Sequence, residues 1–433
     1  MATESVSGEV EVADVQAGAV RTPWGRHALA SVLFFLLGSE MFVLSPLIPV
    51  LANEFGISTA RAAMSVSAFA LTYATVSPLV AALADRWTRR TTIVAGACVF
   101  VAGEIFSALA PSYEFLIAGR VLAGAGAALM GPAVWSYVTE TAAAAERGRA
   151  VSRVSAFFAA GQILGVPAGA VVADTVSWRW VFAAIAIAAA LATVLVGLNL
   201  TGETRVPPRN RSPRRMLAAS VGLWRNHDFT LVVSANFFAQ AARYATYTFA
   251  GALLLHRFGF DTPRLGLVGA AVGFGSMVGA LVAGYLVDLF HRRGRDQFIL
   301  NIGYGSLMIV GLYAATSSDI AWVCVAGWVV TFAAGAAYVG TGQEYLTATM
   351  GDLRAPAVSW NNSALYAGTA AGTAVLGTTA LGSTPFTVLA VSFAAAAVLL
   401  SGSVALHHRA GRRSDAPRRR TVAVVRRKGT QRR

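Results

Sequence analysis

Four charged side chains interrupt stretches of sequence that are otherwise apolar: Glu40, Glu104, Arg120 and Arg243. An ionised group at the centre of a membrane helix is unfavourable by roughly 3 kcal/mol unless it is paired or wet, so each is a functional candidate by default. Around Arg243 the chain adds Asn236, Gln240, Tyr244 and Tyr247, at steps of four, three, one and three, which puts all five on one helical face. A polar stripe on a membrane helix turns toward protein or water. This one offers hydrogen bonds, a cation and two rings, either to a substrate cavity or to a polar seam between helices. Desolvation disfavours a charged carboxylate and a nearby arginine favours it, so an acid in a partly dry cavity is suited to loading and releasing a proton. Glu40 is the candidate proton-coupling residue, with protonation breaking a Glu40–Arg pair. Glu104 reads as a snorkelling or structurally paired side chain, and Glu344 as a vestibule residue or a structural partner of Arg354 or the loops. No nucleophile–base set, phosphate-binding loop or metal-ligand spacing occurs, which argues against an enzyme and predicts no cofactor and no metal.

Of the 433 residues 56% are hydrophobic and 13% charged, against roughly 25% charged in soluble domains. Apolar stretches near the roughly 20 residues needed to cross a bilayer predict helices at 28–50, 62–83, 92–110, 113–138, 151–173, 178–199, 229–255, 264–288, 297–315, 320–346, 355–380 and 385–406. The expected organisation is a disordered tail (1–27), a six-helix bundle (28–200), a central loop (201–227), a second six-helix bundle (228–407) and a basic tail (408–433). Arginines concentrate in alternate loops: Arg86, Arg89 and Arg90, then Arg147, Arg149 and Arg153, then Arg292, Arg293 and Arg295, with six more in the central loop and eleven Arg or Lys from Arg409 on. The other loops hold only Arg61, Arg179, Arg257 and Arg264. That asymmetry places both termini in the cytoplasm of a cell membrane. The net charge of +14 then reads as topology plus attraction to anionic lipid, with no nucleic acid as partner. Cys98 and Cys324, each inside an apolar stretch, read as packing residues.

Two short patterns recur between the halves. Leu83, Asp85, Arg89 and Arg90 superpose on Leu286, Asp288, Arg292 and Arg293, and Gly161-x-x-x-Gly165 on Gly368-x-x-x-Gly372, in the same order at nearly the same offset. A duplicated six-helix unit accounts for both. The glycines permit close helix approach, and Pro167 removes a backbone donor and can bend its helix, so Gly161, Gly165, Pro167, Gly169, Gly368 and Gly372 form the candidate packing pivot.

Over residues 28–407 the chain resembles the major facilitator superfamily and, within it, the 12-helix drug:proton antiporters, including bacterial chloramphenicol-type exporters. Asp85-Arg86-x-x-Arg89-Arg90 resembles the loop motif between the second and third helices, with Ala81 and Thr88 where glycine is usual. Arg120-x-x-x-Gly124-x-Gly126 resembles the fourth-helix motif, and Gly38-Ser39-Glu40-Met41-Phe42 the opening helix. Gly161-x-x-x-Gly165-Val166-Pro167-Ala168-Gly169 resembles the antiporter motif, with Val166 in place of a glycine. The resemblance implies two pseudo-symmetric six-helix bundles, an all-α polytopic fold. It puts Glu40, Arg120 and Arg243 on the walls of a central cavity, and it makes Asp85, Arg86, Arg89, Arg90, Asp288, Arg292 and Arg293 cytoplasmic gating residues. It implies a monomer that exports small hydrophobic or amphipathic molecules by proton antiport. Import of a nutrient on the same fold is the alternative.

Overall fold

The computed structural model describes residues 22–83, 87–143, 146–200 and 213–429. Twelve long helices run through them: α1 Trp24–Glu54, α2 Thr59–Leu83, α3 Arg89–Ala108, α4 Tyr113–Thr141, α5 Arg147–Thr175 and α6 Trp178–Asn199, then α7 at 227–258, α8 Thr262–Arg292, α9 Phe298–Ser317, α10 Ala321–Thr349, α11 Arg354–Leu376 and α12 Thr384–Gly429. Side-chain caps set several starts: Thr88 accepts from the Thr91 N–H, Ser112 from Phe115, Asn226 from Phe229 and Asp261 from Arg264. Ten of the twelve are long and apolar enough to span a membrane. The other two are the polar ones, α7 and α11, and α7 is also broken into shorter pieces. Large apolar side chains such as Leu79, Leu109, Leu198, Leu281, Trp322 and Leu399 face outward, an arrangement that suits lipid and not water.

The predicted helices are all present, with shifted ends. α1 begins at Trp24, inside the segment read as a tail. Its start is fixed where the Thr22 hydroxyl accepts the Ala143 N–H and His27 Nε2 meets Thr141 Oγ1 at 2.7 Å. The central loop contains a helix, Pro213–Gly222, and α12 continues to Gly429 through the segment read as a basic tail. Hydropathy marks where apolar sequence stops, and an arginine-rich run can keep the helical backbone beyond that point. Residues 1–21, 201–212 and 430–433, with Asp85 and Arg86, lie outside the described residues.

Two six-helix bundles repeat the same backbone contacts. In the first, a Cβ added at Gly161 of α5 would overlap the Phe35 carbonyl of α1. In the second, one at Gly368 of α11 would overlap the Phe237 carbonyl of α7. Glycines likewise bring α3 against α4 (Gly103 on Ala123, Gly126 on Phe100) and α9 against α10 (Gly311 and Gly327 on each other). The candidate pivot glycines therefore pack within each bundle, and Gly165 and Gly169 also face α1, at Ser39 and Val43. Of the candidate pivot set only Pro167 reaches the joint between bundles, which otherwise uses other residues. Gly266, Gly269 and Gly273 of α8 receive Pro167, Val166 and Gln162 of α5, while α2 meets α11 where Ser67 donates to the Ala370 carbonyl (3.3 Å) and Tyr73 stacks on Tyr366 at 3.7 Å.

Two helices carry a π-helical turn, Gly161–Gly165 in α5 and Ala241–Ala245 in α7. The first lies two residues before Pro167, where a local π adjustment accommodates the missing backbone donor. The second widens α7 at Arg243. Such turns are frequent at functional sites. Gly161→Leu is expected to destabilise the fold by roughly 1–3 kcal/mol or more, the overpacking range, and is checked by thermal unfolding in detergent against Gly148→Leu, where an added side chain meets open space.

Candidate functional site

An even number of crossings returns the chain to its starting side, so α1 begins and the membrane part of α12 ends at one terminal end of the bundle. Glu40 sits midway along α1, Glu104 near the far end of α3, and Arg120 two turns into α4. Close approach of α3 and α4 at Gly103 and Gly119 lets these three side chains meet. Arg120 Nη1 contacts Glu40 Oε1 and lies 3.6 Å from Glu104 Oε1, with all three side chains at most 1% exposed. The guanidinium also lies over the Phe69 and Phe182 rings, 4.9 and 5.7 Å from their centroids. The expected Glu40–arginine pair is present, and its partner is Arg120. Glu104 does not snorkel; it is sealed beside the same arginine.

The cluster adjoins a central cavity of about 20 Å³ lined by residues of both bundles, among them Met41, Ser45, Phe69, Arg120, Tyr244 and Tyr366. That space has room for about one water, so this conformation is closed to an organic molecule. Away from the terminal end the bundles are tied directly: Ser45 Oγ donates to the Tyr247 carbonyl (2.7 Å) and accepts the Gly251 N–H (3.3 Å). Beside this tie Phe42 enters a cluster of rings from the second bundle, 5.0 Å from Tyr244, 5.7 Å from Tyr247 and 5.5 Å from Phe332.

The polar face of α7 is buried throughout, but only its Tyr244 and Tyr247 reach the cavity. Asn236 donates to Asn361 of α11 (2.7 Å) and is packed by Gly342 of α10. Arg243 extends past Gly335 of α10, its guanidinium 4.5 and 5.0 Å from the centroids of Tyr244 and Phe332. No carboxylate among the described residues lies within 4 Å of it, and its Nε and Nη1 have no hydrogen-bond partner. The Gln240 side-chain oxygen and the Asn236 oxygen are likewise without a donor. Thus the stripe is a seam behind the cavity in this conformation, with unmet polar groups at its centre. Sequence reasoning missed Phe42, Trp328 and Phe332 as part of the site. The spacing of Trp328 and Phe332, four residues apart on α10, is the signal that places both on one face.

The candidate gating residues that the structure describes lie at or near helix ends. Arg89 and Arg90 begin α3 and are not loop residues; Arg292 ends α8, and Asp288 is exposed in its last turns. Arg89 forms a forked contact with Glu140 of α4 (2.8 and 3.1 Å), and Arg90 donates to the Gly197 carbonyl of α6. Both partners belong to the first bundle. At the terminal end of the second bundle, His407 and His408 contact Asp228 and Asp296 at 2.8 and 2.7 Å. Glu344 accepts from Gln297 (2.9 Å), a residue of the loop before α9, so its structural link is to a loop and not to Arg354. Cys324 is buried, whereas Cys98 faces outward.

A pair of repeated six-helix bundles closing on a central cavity, with sealed charges beside it, defines the class as a multi-pass membrane transporter. The family profile of the Major Facilitator Superfamily matches residues 30–261, more than half of the chain, and the protein belongs to that family. It is 25% identical over 350 residues to an uncharacterized MFS-type transporter, YceJ, of Bacillus subtilis (strain 168), covering 80% of this chain and 86% of that protein. It is 28% identical over 370 residues to a chloramphenicol resistance protein of Streptomyces lividans, covering 81% and 88%. Among solved structures, a D-xylose-proton symporter superposes with a TM-score of 0.72 at 17% identity, covering 88% of this chain and 97% of that one, a likeness of fold.

Removing one partner of a buried ion pair leaves an uncompensated charge and destabilises by about 3–5 kcal/mol. Arg120→Leu is therefore expected to lower thermal stability sharply, and Arg120→Leu with Glu40→Gln to recover part of the loss, as measured by unfolding of the purified variants in the same detergent.

Proposed function

We propose that this chain exports a small hydrophobic or amphipathic molecule in exchange for protons moving inward, with both termini in the cytoplasm of a bacterial cell membrane. The observation that carries the reading is the Glu40–Arg120 pair, sealed from water yet bordering the cavity between the bundles. A carboxyl held there changes charge state only when the cavity opens to one side, which is the requirement for coupling a proton to alternating access. The outward direction is supported by the resistance protein of Streptomyces lividans among the relatives and by the antiporter-like α5 segment from Gly161 to Gly169.

The ring cluster of Phe42, Tyr244, Tyr247 and Phe332 supplies broad contact area with few directional demands. Arg243, buried without a carboxylate partner, supports a neutral, zwitterionic or acidic substrate over a purely cationic one. On this reading the basic terminal end faces the inner leaflet, where exposed arginines at helix ends such as Arg292 and Arg293 meet anionic lipid.

The test is proton movement in energised everted vesicles challenged with a panel of antibiotics and metabolites. Substrate-evoked proton release is expected from the wild type and its loss from Glu40→Gln; a Glu40→Gln protein with full coupled transport would remove Glu40 from the site. Concentrative uptake of a labelled nutrient by intact cells, with no evoked release in vesicles, would instead identify an importer. For Arg243→Gln, loss of a charge-assisted contact of about 1.5–3 kcal/mol is expected to weaken an acidic or zwitterionic substrate by roughly 10- to 150-fold. Neutral substrates should change less, as read from concentration dependence in the same vesicles.

A further inference from the structure

The cluster at Arg120 contains two carboxyls and one guanidinium, and its charge does not balance if both acids are ionised. Glu40, Glu104 and Arg120 are all removed from water. The elements packed around them bring rings and backbone: Phe69 from α2 and Phe182 from α6 lie on the guanidinium, and α3 and α4 meet through Gly103 and Gly119. Ser107, the nearest hydroxyl along α3, donates to the Gly103 carbonyl at 2.9 Å and so is not given to Glu104. Tyr244 and Tyr247 of α7 and Tyr366 of α11 border the adjoining cavity. Among the described residues no second cation comes within ion-pair distance of either carboxyl; Arg243 lies elsewhere, against Tyr244 and Phe332.

Arg120 is engaged by Glu40, while its 3.6 Å separation from Glu104 is too long for a hydrogen bond. Neither oxygen of Glu104, and neither oxygen of Glu40, has an N–H or hydroxyl hydrogen-bond donor. The Glu104 and Glu40 carboxyls are instead set against the same nitrogen, Arg120 Nη1. Two adjacent carboxylates in a dry site do not both ionise.

We propose that Glu40 and Glu104 hold one proton between them beside Arg120, so that Glu104, on a helix that does not border the cavity, is the second carboxyl of the proton site. The set is then neutral: one acid, one carboxylate and one guanidinium. When the cavity opens and water reaches Arg120 and Glu40, the carboxyl O–H bond breaks, the proton passes to water and its electron pair stays on the carboxylate. The vacated pair then has two negative charges facing one arginine, which favours recapture when water enters from the other side. This deepens the coupling reading given above and rests on it for its role in transport.

The test reads protonation with no substrate present, so its failure is distinct from a failure of proton-coupled export in vesicles. The purified full-length protein in detergent is titrated across neutral pH and followed by infrared difference spectroscopy for the carbonyl stretch of a protonated, water-excluded carboxylic acid. The wild type is expected to show one such acid per chain. Glu104→Gln and Glu40→Gln are each expected to lose it, because the remaining carboxyl then pairs with Arg120 as an anion. Absence of the band from wild type overturns the proposal whatever the variants do. Survival of the band in Glu104→Gln also overturns it, by placing the proton on Glu40 alone, and survival in Glu40→Gln does so by placing it on Glu104 alone.

Discussion

A guanidinium with almost no exposure is costly unless opposite charge meets it, and the first bundle is arranged to meet the one on Arg120. Glu40 comes from α1, Glu104 from α3, and the arginine itself from α4. Side chains from three helices converge only if the backbones run close, which is what Gly103 and Gly119 allow. At these glycines the two backbones touch, with only the Ser107 side chain against Gly119. Packing and electrostatics are one problem at this point: a Cβ at Gly103 would push α3 off Ala123 and pull Glu104 from the cluster, leaving buried charge unbalanced.

The second bundle reuses these backbone contacts with a different chemistry. Gly311 and Gly327 join α9 to α10 as Gly103 and Gly119 join α3 to α4, yet no acid pair accompanies them. The cation of this half, Arg243, rests on rings, and unmet amide groups of Asn236 and Gln240 lie along the same helix. A repeat that keeps its joints and changes its polar residues is free to divide labour. On the proposed reading, the first bundle holds the proton and the second presents rings and a cation to the substrate.

Much of this was legible in the chain. The twelve helices follow from apolar length, and the duplication from two short patterns, because hydrocarbon and helix geometry impose both on any sequence. The four membrane charges stand out for the same reason. What the sequence did not carry was the choice of partners. Glu104 reads from sequence as snorkelling or structurally paired, and only the approach of α3 to α4 at Gly103 and Gly119 shows its partner to be Arg120. The period of the α7 stripe leaves cavity lining and a polar seam both open, and the structure divides it, with Tyr244 and Tyr247 on the cavity. Periodicity shows that Asn236, Gln240 and Arg243 share a face, and only the neighbours Gly335, Gly342 and Asn361 show that the face is a seam. The pivot glycines were identified as close-packing residues, but the contact between bundles falls on Gly266, Gly269 and Gly273, whose pattern has no counterpart among the repeated motifs.

The position of the ion cluster limits how it can act on the rest of the protein. All three members belong to the first bundle, so a rigid rocking of one bundle against the other neither makes nor breaks their contacts. A protonation change there biases the conformation only through an element that also differs in its contacts between states. On the proposed reading α1 is that element. Glu40 turns toward Arg120, and within five residues Met41 borders the cavity, Phe42 enters the rings of the second bundle, and Ser45 ties to Tyr247 and Gly251. Releasing or tightening Glu40 re-aims a helix whose next turn is the bond between bundles. Gly161 and Gly165 of α5 hold that helix from behind, at Phe35 and Ser39, so the movement open to it is toward the cavity and the facing rings.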